Sequence, residues 1–145
     1  MQVSARCEYA CRAVLELSIN LGRSISADQI SKNQAIPKKY LTHILIELKK
    51  LNIVESIRGK QGGYILAHPP SKITLGQVVR LIDGPFVGCA CMTTSKYIKG
   101  KKQIRCVFKP MWEKINKSAA ETANSYSFED IANSLKRSDT LEYQI

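Results

Sequence analysis

The chain has 145 residues, and its 22 lysines and arginines against 12 aspartates and glutamates leave a net charge of +10. That length suits one domain, or a small domain with a helical arm, and the positive excess favours a polyanionic partner over a merely solvated basic surface. With no apolar run near the ~20 residues of a membrane span and no signal-peptide pattern, a cytoplasmic protein without membrane attachment is expected, in which five cysteines serve as buried thiols, metal ligands or redox groups rather than a disulfide framework.

The first predicted helix runs from about Ser4 to Leu21. Val3, Cys7, Ala10, Cys11, Val14, Leu15, Ser18 and Leu21 recur at three- and four-residue steps and form one buried stripe. Glu8, Arg12 and Glu16 take another face at i,i+4 spacing. Gly22 stops the helix, and Ser26 with Gln29 forms a capping box that opens a short helix from Ala27 to about Asn33. A turn at Gln34-Ala35-Ile36 leads to Pro37, suited to the first turn of the next helix. There Leu41, Ile44, Leu45, Leu48 and Leu51 face the core, and Lys38, Lys39, Thr42, His43 and Ile46 lie elsewhere. Two short strands follow, Ile53–Ile57 and Tyr64–Ala67, joined by the glycine-rich basic loop Gly59–Gly63.

Thr74 with Gln77 is a second capping box, opening a helix through Leu75, Val78, Val79 and Ile82 that Gly84-Pro85 closes. Residues 88–105 show little periodicity and carry Cys89 and Cys91. Lys96, Lys99, Lys101, Lys102, Arg105 and Lys109 crowd this stretch, as a solvated face or as charges that stabilise thiolates or an anionic group. A long amphipathic helix is predicted from about Val107 to Ser125, with Met111, Trp112, Ile115, Ala119, Thr122, Ala123 and Tyr126 in its stripe. That stripe is longer than one small core can cover, so pairing with the same helix of a second chain is expected. Ser127 to Asp130 caps a last short helix to about Leu135, and the polar tail from Lys136 is expected to fray.

Helix, turn, second helix with exposed basic and polar groups, then a two-stranded wing is the order a winged helix-turn-helix needs to grip double-stranded DNA. Lys38 and Lys39 suit phosphates, Thr42 and His43 suit base edges, and Arg58, Lys60 and Gln61 place the wing loop against the duplex. Tyr40 reads equally as a phosphate contact or as an aromatic at the core edge, and Gly62 and Gly63 read as setting the geometry of the wing. No acid–base set accompanies a cysteine, so an enzyme is not expected.

The chain resembles the Rrf2 family of bacterial winged helix-turn-helix transcription regulators, which includes the iron–sulfur cluster regulator and the nitric-oxide-sensing repressor. The resemblance rests on Tyr9-Ala10 and Arg12, Lys39-Tyr40-Leu41, Leu51 and Val54, Ser56 and Arg58-Gly59. It continues through Gly62-Gly63-Tyr64, Leu66-Ala67, Ile73-Thr74-Leu75-Gly76 and Val78-Val79, and ends on Cys106 with Trp112. It covers about residues 1–135. It implies a mainly α fold with a β-hairpin wing, a homodimer whose long C-terminal helices cross, and partly palindromic promoter sites. It further implies 1–84 as the DNA-binding domain, 85–105 as a cysteine-bearing sensor loop, 106–135 as the dimerisation helix with a terminal short helix, and 136–145 as a tail. By the same resemblance the protein sits in the bacterial cytoplasm on the nucleoid.

Family members that sense iron, nitric oxide or redox state hold a cluster, usually [2Fe–2S], on three cysteines before the long helix. The fourth ligand is a histidine three residues after the last cysteine, or an acidic residue on the partner's first helix. Here Cys106 stands correctly relative to Trp112, Cys91 falls near the first ligand position, and Glu8 occupies the acidic position. The middle cysteine is missing, Cys89 stands as an extra neighbour of Cys91, and Lys109 replaces the histidine. The resemblance therefore implies an iron–sulfur cluster on Cys89, Cys91, Cys106 and Glu8 of the partner subunit, which tunes DNA binding. The alternatives are a cluster-free regulator controlled by thiol oxidation, or one controlled by a partner protein or small ligand. Cys7 and Cys11 read first as core residues, with Cys7 also able to replace Glu8 as a ligand.

Overall fold

The computed structural model describes residues 2–88 and 107–142. Ser4 caps the first helix, α1 (Ala5–Ile19), its hydroxyl accepting the Cys7 amide. Because α1 begins at Ala5 and ends at Ile19, Val3 and Leu21 lie outside it and are exposed, unlike the stripe expected from the sequence. The buried face is Cys7, Ala10, Ala13, Val14, Glu16, Leu17 and Ser18.

Glu16 also departs from expectation. Its carboxylate is buried at 5% exposure and accepts hydrogen bonds from Asn20 Nδ2 (3.0 Å), Asn33 Nδ2 (2.7 Å) and Gln34 Nε2 (2.7 Å). Such a set satisfies the buried carboxyl oxygens with amide donors and ties α1 to the end of α2 (Ala27–Gln34).

Ser26 caps α2, its hydroxyl accepting the Gln29 amide at 3.2 Å. The following turn takes Ala35 into the left-handed region at φ 51°, and Ser31 Oγ donates to the Ile36 carbonyl at 2.6 Å. Buried Ile36 anchors the turn. The third helix, α3 (Lys38–Lys50), then buries Leu41, Ile44, Leu45 and Leu48 against α1 and α2.

Two strands, β1 (Val54–Ile57) and β2 (Gly63–Leu66), pair antiparallel from Val54↔Leu66 to Ile57↔Gly63. Ile25 adds a bridge to Tyr64, with both amide–carbonyl bonds made. Gly63 permits it, because a Cβ there would lie 2.6 Å from the Ile25 carbonyl carbon and oxygen.

A short 3-10 turn (Pro70–Lys72) leads to α4 (Leu75–Asp83), capped by Thr74 through the Gln77 amide at 3.1 Å. Past residue 106, α5 (Lys109–Asn124) and α6 (Phe128–Glu142) complete the described chain. Ser127 and Asp130 cap α6 reciprocally, with Asp130 N to Ser127 Oγ at 3.1 Å and Ser127 N to Asp130 Oδ2 at 3.3 Å. The helix does not stop near Leu135 as expected but continues to Glu142. Leu75 N bonds the Tyr126 carbonyl and Phe128 N bonds the Ile73 carbonyl, each at 2.9 Å, so the α5–α6 joint is stitched to the start of α4. Phe128 and Ala132 are buried in turn. The fold is thus mainly helical with one hairpin.

Candidate nucleic-acid interface

Helix α3 sits on the core through one face and turns the rest outward. Lys38, Lys39, Tyr40, Thr42, His43 and Ile46 are all exposed. They do not form one uniform surface. Tyr40 packs toward α1, its ring 6.5 Å from that of Tyr9 and tilted by 37°. His43 and Glu47 share that side, and these residues with Ala5, Arg6 and Ile44 line a cavity of about 510 Å³. The Arg6–Glu47 ion pair, at 3.7 Å, bridges its edge. Lys39, Thr42 and Ile46, spaced by three and four, form a separate outward row.

Thr42 is partly committed. Its hydroxyl donates to the Lys38 carbonyl at 3.1 Å, leaving its oxygen lone pairs for an external donor. Lys38 Nζ is ion-paired to Asp28 Oδ1 at 2.5 Å, between two exposed side chains. The hydrogen bond and charge of Lys38 hold the Asp28 carboxyl below the usual carboxylate range.

The wing loop carries Arg58, Lys60 and Gln61, all exposed. Gly59 takes φ 116°, and its carbonyl accepts the Gly62 amide at 3.0 Å, closing a tight tip. Lys49 Nζ donates to Ser56 Oγ at 2.6 Å and fastens α3 to β1, and Ser24 Oγ donates to the Gln61 carbonyl.

That last bond reveals a part of the surface the sequence reading missed. Arg23, Ser24, Ser26 and Gln29, from the α1–α2 connection and the start of α2, join Gln61 and Gly62 around a recess of about 660 Å³. Arg23 Nη2 donates to Asn20 Oδ1 at 2.6 Å. The available signal was an arginine in the short turn ahead of a Ser–Gln capping box, where a backbone entering a helix presents unpaired amides.

Of the expected cluster ligands, Cys89, Cys91 and Cys106 lie outside the described residues, as does the lysine-rich run 96–105. Glu8 is exposed in the first turn of α1, and its carboxylate pairs with Arg12, whose other guanidinium nitrogen donates to the Gln34 carbonyl at 3.4 Å. Among the described residues, no group of three His, Cys, Asp or Glu side chains is placed to hold a metal ion. Cys7 is buried and Cys11 half-buried, one helical turn apart. The neighbouring Cys11 thiol, with burial and the nearby Asp83 charge, pushes the Cys7 thiol up, and the influence of Cys7 lowers Cys11.

Helix α5 buries no residue within the chain. Its Ile115, Ala119, Thr122 and Ala123, with Tyr126, Val3, Leu75 and Phe86, line an open apolar groove of about 740 Å³. Val107, Phe108, Met111 and Trp112 extend the apolar surface at its start.

Comparison with known proteins yields one family. The Rrf2 model, described as an iron-dependent transcriptional regulator, matches residues 3–134. An rrf2-like HTH-type transcriptional regulator of Rhodobacter capsulatus is 35% identical over 99 residues, 66% of each chain. The chain spans only about half, 53%, of two Mycobacterium tuberculosis relatives. Among solved structures, T. potens IscR superposes with a TM-score of 0.75 at 28% identity, over 95% of this chain and 90% of that one. CymR, the global cysteine regulator of B. subtilis, gives a TM-score of 0.72 at 25% identity, over 92% of this chain and 97% of that one. The Rhodobacter and Mycobacterium relatives are named as HTH-type transcriptional regulators and CymR as a regulator, and none of these as an enzyme.

Proposed function

The chain belongs to the Rrf2 family of transcriptional regulators, and from that premise we propose that it binds promoter DNA as a homodimer and reads sequence through α3 and the wing. The observation that carries this reading is the division of α3: four apolar residues close the core behind it, and Lys39, Thr42 and Ile46 face outward beside a basic wing tip. Lys38, Lys39, Arg58 and Lys60 take phosphates and fix register, and Thr42 and His43 read base edges. Tyr40, held beside Tyr9, offers its hydroxyl to the backbone. Gln61 sits where the wing meets the duplex. A second copy covers the apolar groove of α5, which sets the two α3 helices roughly 34 Å apart for successive major grooves. Fluorescence anisotropy with promoter fragments tests this: nanomolar, salt-sensitive binding that competitor DNA of unrelated sequence does not remove is expected.

The signal, in this reading, enters through a [2Fe–2S] cluster on Cys89, Cys91, Cys106 and Glu8 of the partner subunit. The donor set fits: three thiolates are soft, anionic donors of the kind iron takes, and the carboxylate adds a harder, more easily displaced fourth. The cluster would supply a group whose assembly or damage reports iron, redox or nitric-oxide status. What this chain contributes is a releasable carboxylate, since Arg12 holds Glu8 at the surface of α1. An anaerobic absorption spectrum with iron and sulfide analysis tests the cofactor. A colourless, iron-free protein that binds DNA normally would instead support control by thiol oxidation, a partner protein or a small ligand. The likeness to CymR favours that second reading.

A further inference from the structure

The cavity between α1 and α3 carries an opposite pair of charges that the fold leaves loosely matched. Arg6 Nη2 donates to the Ile82 carbonyl in the last turn of α4 at 2.6 Å, and its Nη1 stands 3.7 Å from Glu47 Oε1. That second separation is too long for a hydrogen bond. Among the described residues the Glu47 carboxylate accepts none, although its side chain is only 33% exposed. The rest of the lining is largely apolar: Ala5, Ile44 and the rings of Tyr9 and Tyr40. A volume of about 510 Å³ suits a small molecule, whose sites run to roughly 300–1,000 Å³.

The charges select the occupant. A simple anion drawn to Arg6 is repelled by Glu47, and a simple cation drawn to Glu47 is repelled by Arg6. A zwitterion satisfies both, and one whose charges flank a single carbon matches partners 3.7 Å apart. We propose that this cavity binds an α-amino acid with an aromatic or branched apolar side chain. Its carboxylate takes the open guanidinium edge of Arg6, and its ammonium takes Glu47. Its side chain lies against Tyr9 and Tyr40, whose ring centroids are 6.5 Å apart. Tyr40 and His43 line the same cavity, so occupancy also shifts promoter affinity, a consequence that rests on the DNA-binding reading above.

The test titrates the full chain with L-phenylalanine by isothermal calorimetry, without DNA. One equivalent per chain with a Kd below about 1 mM is expected. 3-Phenylpropionate lacks the ammonium and phenethylamine lacks the carboxylate. Each is expected to bind at least about tenfold more weakly, the scale of a hydrogen bond to a charged group. Arg6→Gln and Glu47→Gln are expected to weaken phenylalanine by a similar factor with unchanged circular dichroism spectra. Glu47→Gln keeps the shape of a side chain at the surface of α3 and so guards against a folding defect. No heat with phenylalanine, as when a second copy of the chain fills the cavity, would overturn the site. So would an analogue that binds equally well, or full affinity in Glu47→Gln. Saturating phenylalanine is then expected to change promoter affinity by about fivefold or more in anisotropy, and not in Glu47→Gln. Calorimetric binding with promoter affinity unmoved would overturn the regulatory consequence alone. Calorimetric failure beside normal promoter binding would overturn the site and leave the DNA reading standing.

Discussion

Lys38, the first residue of α3, is held by Asp28 of α2, Nζ to Oδ1 at 2.5 Å. The nearest carboxylate to a proposed phosphate contact is therefore a competitor for it. Asp28→Asn is expected to raise DNA affinity roughly two- to fivefold, the scale of an exposed ion pair. Lys38→Ala is expected to reduce the slope of log affinity against log salt by about 0.9, one phosphate contact. Anisotropy titrations at three salt concentrations check both.

Thr42 keeps its lone pairs free because its proton goes to the Lys38 carbonyl. It can therefore accept from an adenine or cytosine amino group but is poorly placed to donate to guanine. Thr42→Val is expected to lose about 1–3 kcal/mol of discrimination at one base position. Lys39→Ala is expected to weaken all sequences alike. Binding to a set of operator variants, each with one base pair changed, separates the two.

Glu16 gathers donors from Asn20, Asn33 and Gln34. Glu16→Ala leaves these amides unpaired beside a cavity, and a loss of about 1–3 kcal/mol in denaturant unfolding is expected. Glu16→Gln keeps the volume and is expected to cost less.

A Cβ at position 63 would meet the backbone of Ile25 at 2.6 Å, which cannot yield as a flexible side chain would. Gly63→Ala is expected to cost about 1–3 kcal/mol, as overpacking does. It should also break the Ile25–Tyr64 bridge, seen as faster amide exchange at Tyr64.

Asp83 feels two opposing influences. Desolvation raises its pKa, but hydrogen bonds from the Ser4 hydroxyl and amide, with the Arg6 charge, outweigh it and hold the carboxyl below the usual range. A depressed folded-state pKa gives stability that is present above the unfolded value and lost as pH falls through the folded value. The α1 cap should therefore loosen on the acid side only. Asp83→Asn should lower the stability plateau at neutral pH and flatten the acid limb, so that the two stability-against-pH curves converge below the folded-state pKa of Asp83.

The helix-turn-helix was legible because its signals are local. Ser26 with Gln29, Thr74 with Gln77 and Ser127 with Asp130 announce helix starts through hydroxyls that bond amides three residues on. The apolar steps from Leu41 to Leu48 name the buried face of α3. The Gly62-Gly63-Tyr64 run marked the wing, and both glycines meet backbone too closely for a side chain. What escaped notice depends on partners far away in the chain. Glu16, four residues beyond Arg12, looked like a rung of a solvated charge ladder, and only the folding of Asn33 and Gln34 against it turns it inward. Arg23 joins the wing only because Ser24 reaches Gln61, 37 residues on. The neighbour of Tyr40, the Tyr9 ring of another helix, is likewise not written in the residues around it.

Phe128 lies at 1% exposure in the same core as Leu41 and Leu45. A fragment cut at Gly84 would therefore carry an open socket the size of a phenyl ring, a defect worth about 3–5 kcal/mol. Dissecting the protein into a reading head and a detachable arm would leave the head without its keystone. Any force on the arm thereby pulls on the masonry that α3 also leans upon.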